Sequence, residues 1–225
     1  MGKVPSKGYC GEPYTTYTKP KSASNTIVNP IESDEFNKPE LGKQWQWHAN
    51  YSQDFGQPTS DGFFRIYNYK QGEGETIWDI PNLLLQKTPA DAFTVTTKIK
   101  VAAKKDGDYG GLIMMGRDYS ALIVKRIGEG FQLQQVTGND SRKEKVKVLA
   151  ELKATDKDKI NYDPAIYEEI YLRLTVKEGA LLTFAYSTNG KKYQPIGEQF
   201  KMREGRWIGA KFGFIAAETA KGVKG

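Results

Sequence analysis

Cysteine and histidine are nearly absent: Cys10 and His48 are the only residues of their kinds in 225. A lone cysteine excludes an internal disulfide framework and a cysteine-rich zinc site. A lone histidine excludes a multi-histidine metal centre within the chain and leaves Ser/His/Asp catalysis with no choice of base. No apolar run approaches the ~20 residues of a membrane span, so no membrane partner is expected. Met1-Gly2-Lys3-Val4-Pro5 has a lysine with no apolar stretch behind it, and no signal peptide is expected. Helical periodicity is also scarce. No segment sustains apolar residues at i, i+3, i+4 and i+7 for more than about two turns.

The charge balance, 33 basic residues against 27 acidic and a net +6, invites a nucleic-acid reading that the distribution does not support. The basic residues of 142–147 and 153–159 are interleaved with Glu and Asp. Lys143, Lys145 and Lys147 alternate with Glu144, Val146 and Val148, the period of a strand with one wet face. No nucleic-acid motif accompanies them, and no nucleic-acid partner is expected.

What is abundant is period-two alternation. Phe93, Val95, Thr97, Ile99 and Val101 fall on one face of a strand, as do Ile170, Leu172, Leu174 and Val176 of another. Leu182, Phe184 and Tyr186 repeat the pattern, and 63–69, 83–86, 111–115, 120–126, 131–136, 146–152 and 211–216 are further strands. Asn189-Gly190 between two apolar runs is a strong hairpin signal, and Gly128-Glu129-Gly130 and Gly116-Arg117-Asp118 read as tight turns. Strands joined by short turns predict an all-β, two-sheet antiparallel jelly-roll sandwich. Residues 1–30 stand apart. They hold four of the ten prolines amid Ser, Thr, Gly and Asn, the composition of a tail or linker. The glycine-rich end after Ile215 suggests that a last strand is lacking.

Candidate chemistry follows from residue type. Asp79, flanked by Trp78 and Ile80, would have a raised pKa if buried, but the favoured reading is a loop carboxylate hydrogen-bonded to nearby backbone N–H groups. Sugar rings lie with their C–H faces against indole or phenol rings, and their hydroxyls suit planar polar groups. Trp45, Trp47 and Trp78 supply the first, with Gln86 and Arg117 among the second, although Trp45 and Trp47 also fit a packed core or rim. Trp78, beside Pro81, is the tryptophan expected to be exposed. Glu32, Asp34 and Glu35 offer hard oxygen ligands of the kind Ca²⁺ takes. His48 reads as a packed or hydrogen-bonded residue beside Trp47 rather than a catalytic base.

Several longer motifs are family-like. Ser33-Asp34-Glu35-Phe36, the run from Leu41 through Gln44-Trp45-Gln46-Trp47-His48 to Asn50, Trp78-Asp79-Ile80-Pro81-Asn82 through Lys87, Gly111 through Tyr119, and Gly205-Arg206-Trp207-Ile208-Gly209-Ala210-Lys211 occur in order. Over roughly residues 31–218 they resemble the C-terminal concanavalin A-like sandwich of glycoside hydrolase family 43, the β-xylosidase and α-L-arabinofuranosidase group. The resemblance implies that residues 1–30 are the end of a catalytic β-propeller and its linker, and 31–225 the sandwich. It implies that the catalytic acids lie in that propeller, so this chain is expected to be inactive alone. The sandwich would pack on the propeller and contact xylan or xylo- and arabino-oligosaccharides. Trp78, Asp79, Asn82, Gln86, Arg117, Trp45 and Trp47 are the candidates for that contact, with pocket closure at 78–82. A polysaccharide-degrading parent implies an extracellular or periplasmic setting. A free-standing xylan-binding module or lectin is the alternative reading.

Overall fold

The computed structural model describes residues 16–21, 26, 31–152 and 165–219. The chain divides into two units, Met1–Pro30 and Ile31–Gly225. The described residues of the first have no regular secondary structure, and residues 220–225, the glycine-rich end, lie outside the described residues.

Among the described residues of the second unit, the regular structure is strand apart from two 3₁₀ turns. In chain order the strands are β1 (Gln46–Trp47), β2 (Gly56–Pro58), β3 (Phe64–Ile66), β4 (Tyr69–Lys70), β5 (Leu84–Lys87), β6 (Phe93–Ala103) and β7 (Asp108–Met115). They continue as β8 (Tyr119–Ile127), β9 (Gly130–Gly138), β10 (Glu144–Leu152), β11 (Ala165–Lys177), β12 (Leu181–Ser187), β13 (Gln194–Lys201) and β14 (Lys211–Glu218). An eight-stranded sheet runs β1-β5-β14-β7-β8-β9-β10, with the short β4 added in parallel to the end of β14. A four-stranded antiparallel sheet runs β13-β12-β11-β6. The two pack face to face as the expected sandwich.

The core between the sheets follows the alternation. Ile170, Leu172, Leu174 and Val176 of β11, with Leu182 and Phe184 of β12, meet Leu112 and Met114 of β7, Leu122 and Val124 of β8, and Phe131 and Leu133 of β9. The other face of the large sheet is also buried. Ile77, Ile80 and Leu83 fold back over Ile113, Met115, Tyr119, Ala121, Ile123 and Ile215. Burial on both faces explains why β7 and β8 read as near-continuous apolar runs instead of alternating.

Four local features differ from the sequence reading. The predicted strand 63–69 is split: β3 pairs with β2 in a separate two-stranded sheet, which Tyr67 N extends by donating to Phe55 O, and β4 pairs with β14. β13 is an additional edge strand whose Pro195 and Gly197 mask its signal. The Asn189-Gly190 turn has positive φ at Gly190 alone. Its Asn189 side chain accepts from Lys191 N and Lys192 N, so the loop is longer than a two-residue hairpin turn. β10 exposes both faces over 144–148, Val146 and Val148 included, where it is the free edge of the large sheet, while Leu149, Ala150 and Leu152 pack on the core.

Candidate functional site at the loop end of the sandwich

One register row crosses the large sheet from Lys87 to Lys211, Met115, Tyr119, Gly138 and Glu144. Four loop segments beyond it converge: the 3₁₀ turn Ile77–Asp79, the β7–β8 turn, the β9–β10 turn and the β13–β14 loop. Ion pairs tie them together. Arg142 Nη1 donates to Asp79 Oδ1 at 2.7 Å, linking the β9–β10 turn to the 3₁₀ turn. Arg203 forks onto Asp118, Nε to Oδ2 and Nη2 to Oδ1, both at 2.6 Å, and Nη2 also reaches Asp140 Oδ2 at 3.1 Å. Glu144 Oε1 accepts from Ile77 N at 2.8 Å and from the Tyr119 hydroxyl, seating the 3₁₀ turn on the sheet.

Above this framework stands Trp207. It is 99% exposed, its neighbour Ile208 is 48% exposed, and its φ is +67°. Left-handed backbone costs a non-glycine residue about 1–2 kcal/mol, and an indole left in water forgoes the burial that tryptophan ordinarily gains. The loop is narrow at its base: a Cβ on Gly205 would lie 2.1 Å from Gly209 O. Ile208 N donates to Arg206 O across the tip at 2.8 Å. Trp207 lies within one of the family-like motifs but is not among the contacts expected from the sequence. The signal was its setting, a bulky aromatic between two glycines with no alternating strand partners.

The sequence candidates separate into three groups. Asp79 and Arg117 belong to the loop end. Asp79 caps its own turn, accepting from Thr76 N at 2.9 Å and Thr76 Oγ1 at 3.2 Å. Burial pushes the Asp79 carboxyl up, but the Thr76 hydrogen bonds and Arg142 outweigh it and hold it below the usual carboxylate range. Of the two readings of Asp79, the carboxylate hydrogen-bonded to backbone N–H is the one observed, and its pKa is lowered, not raised. Arg117 is exposed, and its N–H donates to Glu204 O at 3.0 Å.

Trp78 and Asn82 serve the covering layer. Trp78 is half-buried, edge-on to Tyr119 at 5.9 Å between ring centroids, and its Nε1 is enclosed. The expectation of an exposed Trp78 is overturned, because the loop folds back onto the sheet. Asn82 is buried and donates to Tyr67 O and Ala216 O, stitching that layer to β14. His48 packs against Trp78 rather than Trp47, with Nε2 3.3 Å from Trp78 O.

Trp45, Trp47, Gln86, Glu32 and Asp34 form the third group, around β1. Trp45 lies 5.5 Å from Phe36 and 5.4 Å from Phe214, while Trp47 lies 5.4 Å from Phe55 and 6.0 Å from Phe64. Both are members of an aromatic cluster, the packed alternative left open above. Asp34 anchors it, accepting from Trp45 Nε1 at 2.9 Å and Phe36 N at 2.9 Å. Gln86 is buried and donates to Glu32 O at 3.1 Å. Around the calcium candidates Glu32 and Asp34, for which surface acids without an ion are the commoner reading, no three His, Cys, Asp or Glu side chains among the described residues gather to hold a metal.

The fold defines a two-sheet, largely antiparallel sandwich, and comparison gives the family. Residues 33–225 match the β-xylosidase C-terminal concanavalin A-like domain, and the chain belongs to that family. A putative β-xylosidase of Xylanibacter ruminicola is 25% identical over 211 residues, covering 93% of this chain and 35% of the relative. A β-xylosidase of Formosa agariphila is 22% identical over 226 residues, covering 92% and 35%. The chain thus spans about a third of these relatives. Among solved structures, a bifunctional GH43-CE protein of Bacteroides eggerthii superposes with a TM-score of 0.67 at 20% identity, covering 82% of this chain and 23% of that one. A xylan β-1,4-xylosidase of Bacillus halodurans gives 0.64 at 15% identity, covering 88% and 38%.

Proposed function

We propose that this chain is the non-catalytic C-terminal sandwich of a xylan-degrading glycoside hydrolase, packing on the catalytic domain and contributing a sugar contact through Trp207. Residues 1–30 would then be the end of the preceding domain and its linker, and 31–225 the sandwich. Membership of a β-xylosidase domain family supports the setting. The ion pairs of the loop end support the non-catalytic part. Asp79 is held anionic by the Thr76 hydrogen bonds and Arg142, and Asp118 by Arg203, so neither has a proton to give a leaving group near neutral pH.

The observation that carries the sugar contact is the exposure of Trp207 on a strained, narrow loop. An indole so presented offers a flat apolar face for the C–H face of a xylose ring and excludes water from the side it covers. In this reading the sugar contact lies on 205–209, at the same loop end as the 78–82 segment to which the family resemblance assigns pocket closure.

The test is retention of the 225-residue chain on insoluble xylan. Trp207→Ala is expected to lower retention about tenfold, the loss of one stacking contact of ~1.4 kcal/mol, without changing thermal unfolding. Equal retention by the variant would overturn the contact.

A further inference from the structure

We infer that Arg203 is the positioning residue of Trp207: one guanidinium grips the β7–β8 and β9–β10 turns and fixes the loop that carries the indole four residues further on. The inference deepens the reading of Trp207 as a ligand contact and rests on it.

Three observations carry it. The Arg203 fork makes two parallel 2.6 Å bonds to Asp118 and a third contact, 3.1 Å, to Asp140 on a separate turn. A planar fork fixes direction as well as distance, which a lysine ammonium does not. Asp118 is enclosed, its side chain 14% exposed against 43% for Arg203, so the anchored end of the pair is shielded from solvent. The backbones interlock at the same place. Arg117 N donates to Glu204 O at 3.0 Å, and a Cβ on Gly116 would lie 1.8 Å from Arg203 O. The loop root is thus fixed by side chain and main chain together. A contact residue already ordered loses less freedom when its ligand arrives.

The experiment compares the 225-residue chain with Arg203→Ala, Arg203→Lys and Trp207→Ala. Amide exchange is read at Arg117 and Ile208, whose N–H groups are bonded to Glu204 O and Arg206 O, with 121–124 in β8 as the internal reference. Arg203→Ala is expected to speed exchange at Arg117 and Ile208 about tenfold while 121–124 hold. Arg203→Lys should recover part of that protection, and affinity for xylohexaose should fall about threefold in Arg203→Ala. Unchanged exchange, or a rise spread equally over 121–124, would overturn the positioning role. So would xylohexaose affinity equal to that of the parent in Arg203→Ala when Trp207→Ala has lost it. If Trp207→Ala binds xylohexaose as the parent does, the sugar contact fails, and the exchange data still decide whether Arg203 holds the loop. Should Arg203→Ala not fold, Asp118→Asn breaks the same fork and is read at the same amides.

Discussion

Asp79 and Asp118 owe their charge to their partners more than to their surroundings. The Arg203 fork lowers the Asp118 pKa, and the Thr76 hydrogen bonds with Arg142 lower that of Asp79 against the opposing effect of burial. A carboxylate lowered in the folded state stabilises it above the ordinary value of 3.8, and that contribution is lost as pH falls through the lowered pKa. In urea unfolding between pH 7 and 2.5 the part of the decline that these carboxylates contribute should therefore be confined to the acid end, about pH 4 and below, and be smaller in Asp118→Asn. His48 acts in a different window. Burial, then Lys211, lowers its pKa from 6.5, so the unfolded chain takes up a proton first, and stability should decline as pH drops below 6.5. His48→Phe should remove that decline, and a variant that keeps it would assign the titration elsewhere. Trp78→Ala should cost about 3 kcal/mol of unfolding free energy and leave xylan retention per folded molecule unchanged, since Trp78 packs on Tyr119. Residue type alone named Trp78, Asp79 and Arg117. It could not show which tryptophan the loops cover, because that depends on a segment folding back over a sheet far from it in sequence.

Between the sheets the least legible element is β13, and the reason lies in how it is held. Gln135, from β9, accepts from Glu198 N at 2.7 Å and donates to Glu198 O at 2.9 Å and Ser120 Oγ at 3.2 Å. An amide side chain from one sheet thus completes the backbone of the other at a β-bulge, where β13 slips against β12 beside Gly197. Gly197 is needed twice over, by its φ of +78° and because a Cβ would meet Gln135 Oε1 at 2.6 Å. Strand alternation does not report such a clasp, whereas it does report β6, β11 and β12, whose inward faces were readable residue by residue. Gly197→Ala should lower stability by about 1–2 kcal/mol from backbone conformation alone, with a further loss from displacing Gln135. Gln135→Ala should cost about 1–3 kcal/mol by stranding the Glu198 N–H and C=O. Thermal unfolding of the two single variants and the double checks this. A double mutant no worse than the more damaged single would confirm that both act through one clasp, and strictly additive losses would deny it.

Across the whole molecule, stability should be graded from the centre of the large sheet outward. β14 has β5 and β7 on its two sides, and β7 and β8 each have a strand on both sides and buried side chains on both faces. Opening any of them breaks two ladders and both apolar layers. β10 and β13 each have one free side, and β10 is exposed through most of its first half. Local opening there breaks one ladder and uncovers little apolar surface, so it needs less free energy. The buried-both-faces strands are also those whose sequences lack alternation. The pattern that obscures which face is inward therefore marks the part of the sheet hardest to open. Native-state amide exchange should rank β7, β8 and β14 slowest, β11 and β12 next, and β10 and β13 fastest. In Gln135→Ala, β13 should move further from the rest while β7 and β8 keep their rates. Equal protection in β10 and β8, or loss of β7 and β8 together with β13, would mean that the two sheets open as one unit and that the clasp does not set a local boundary.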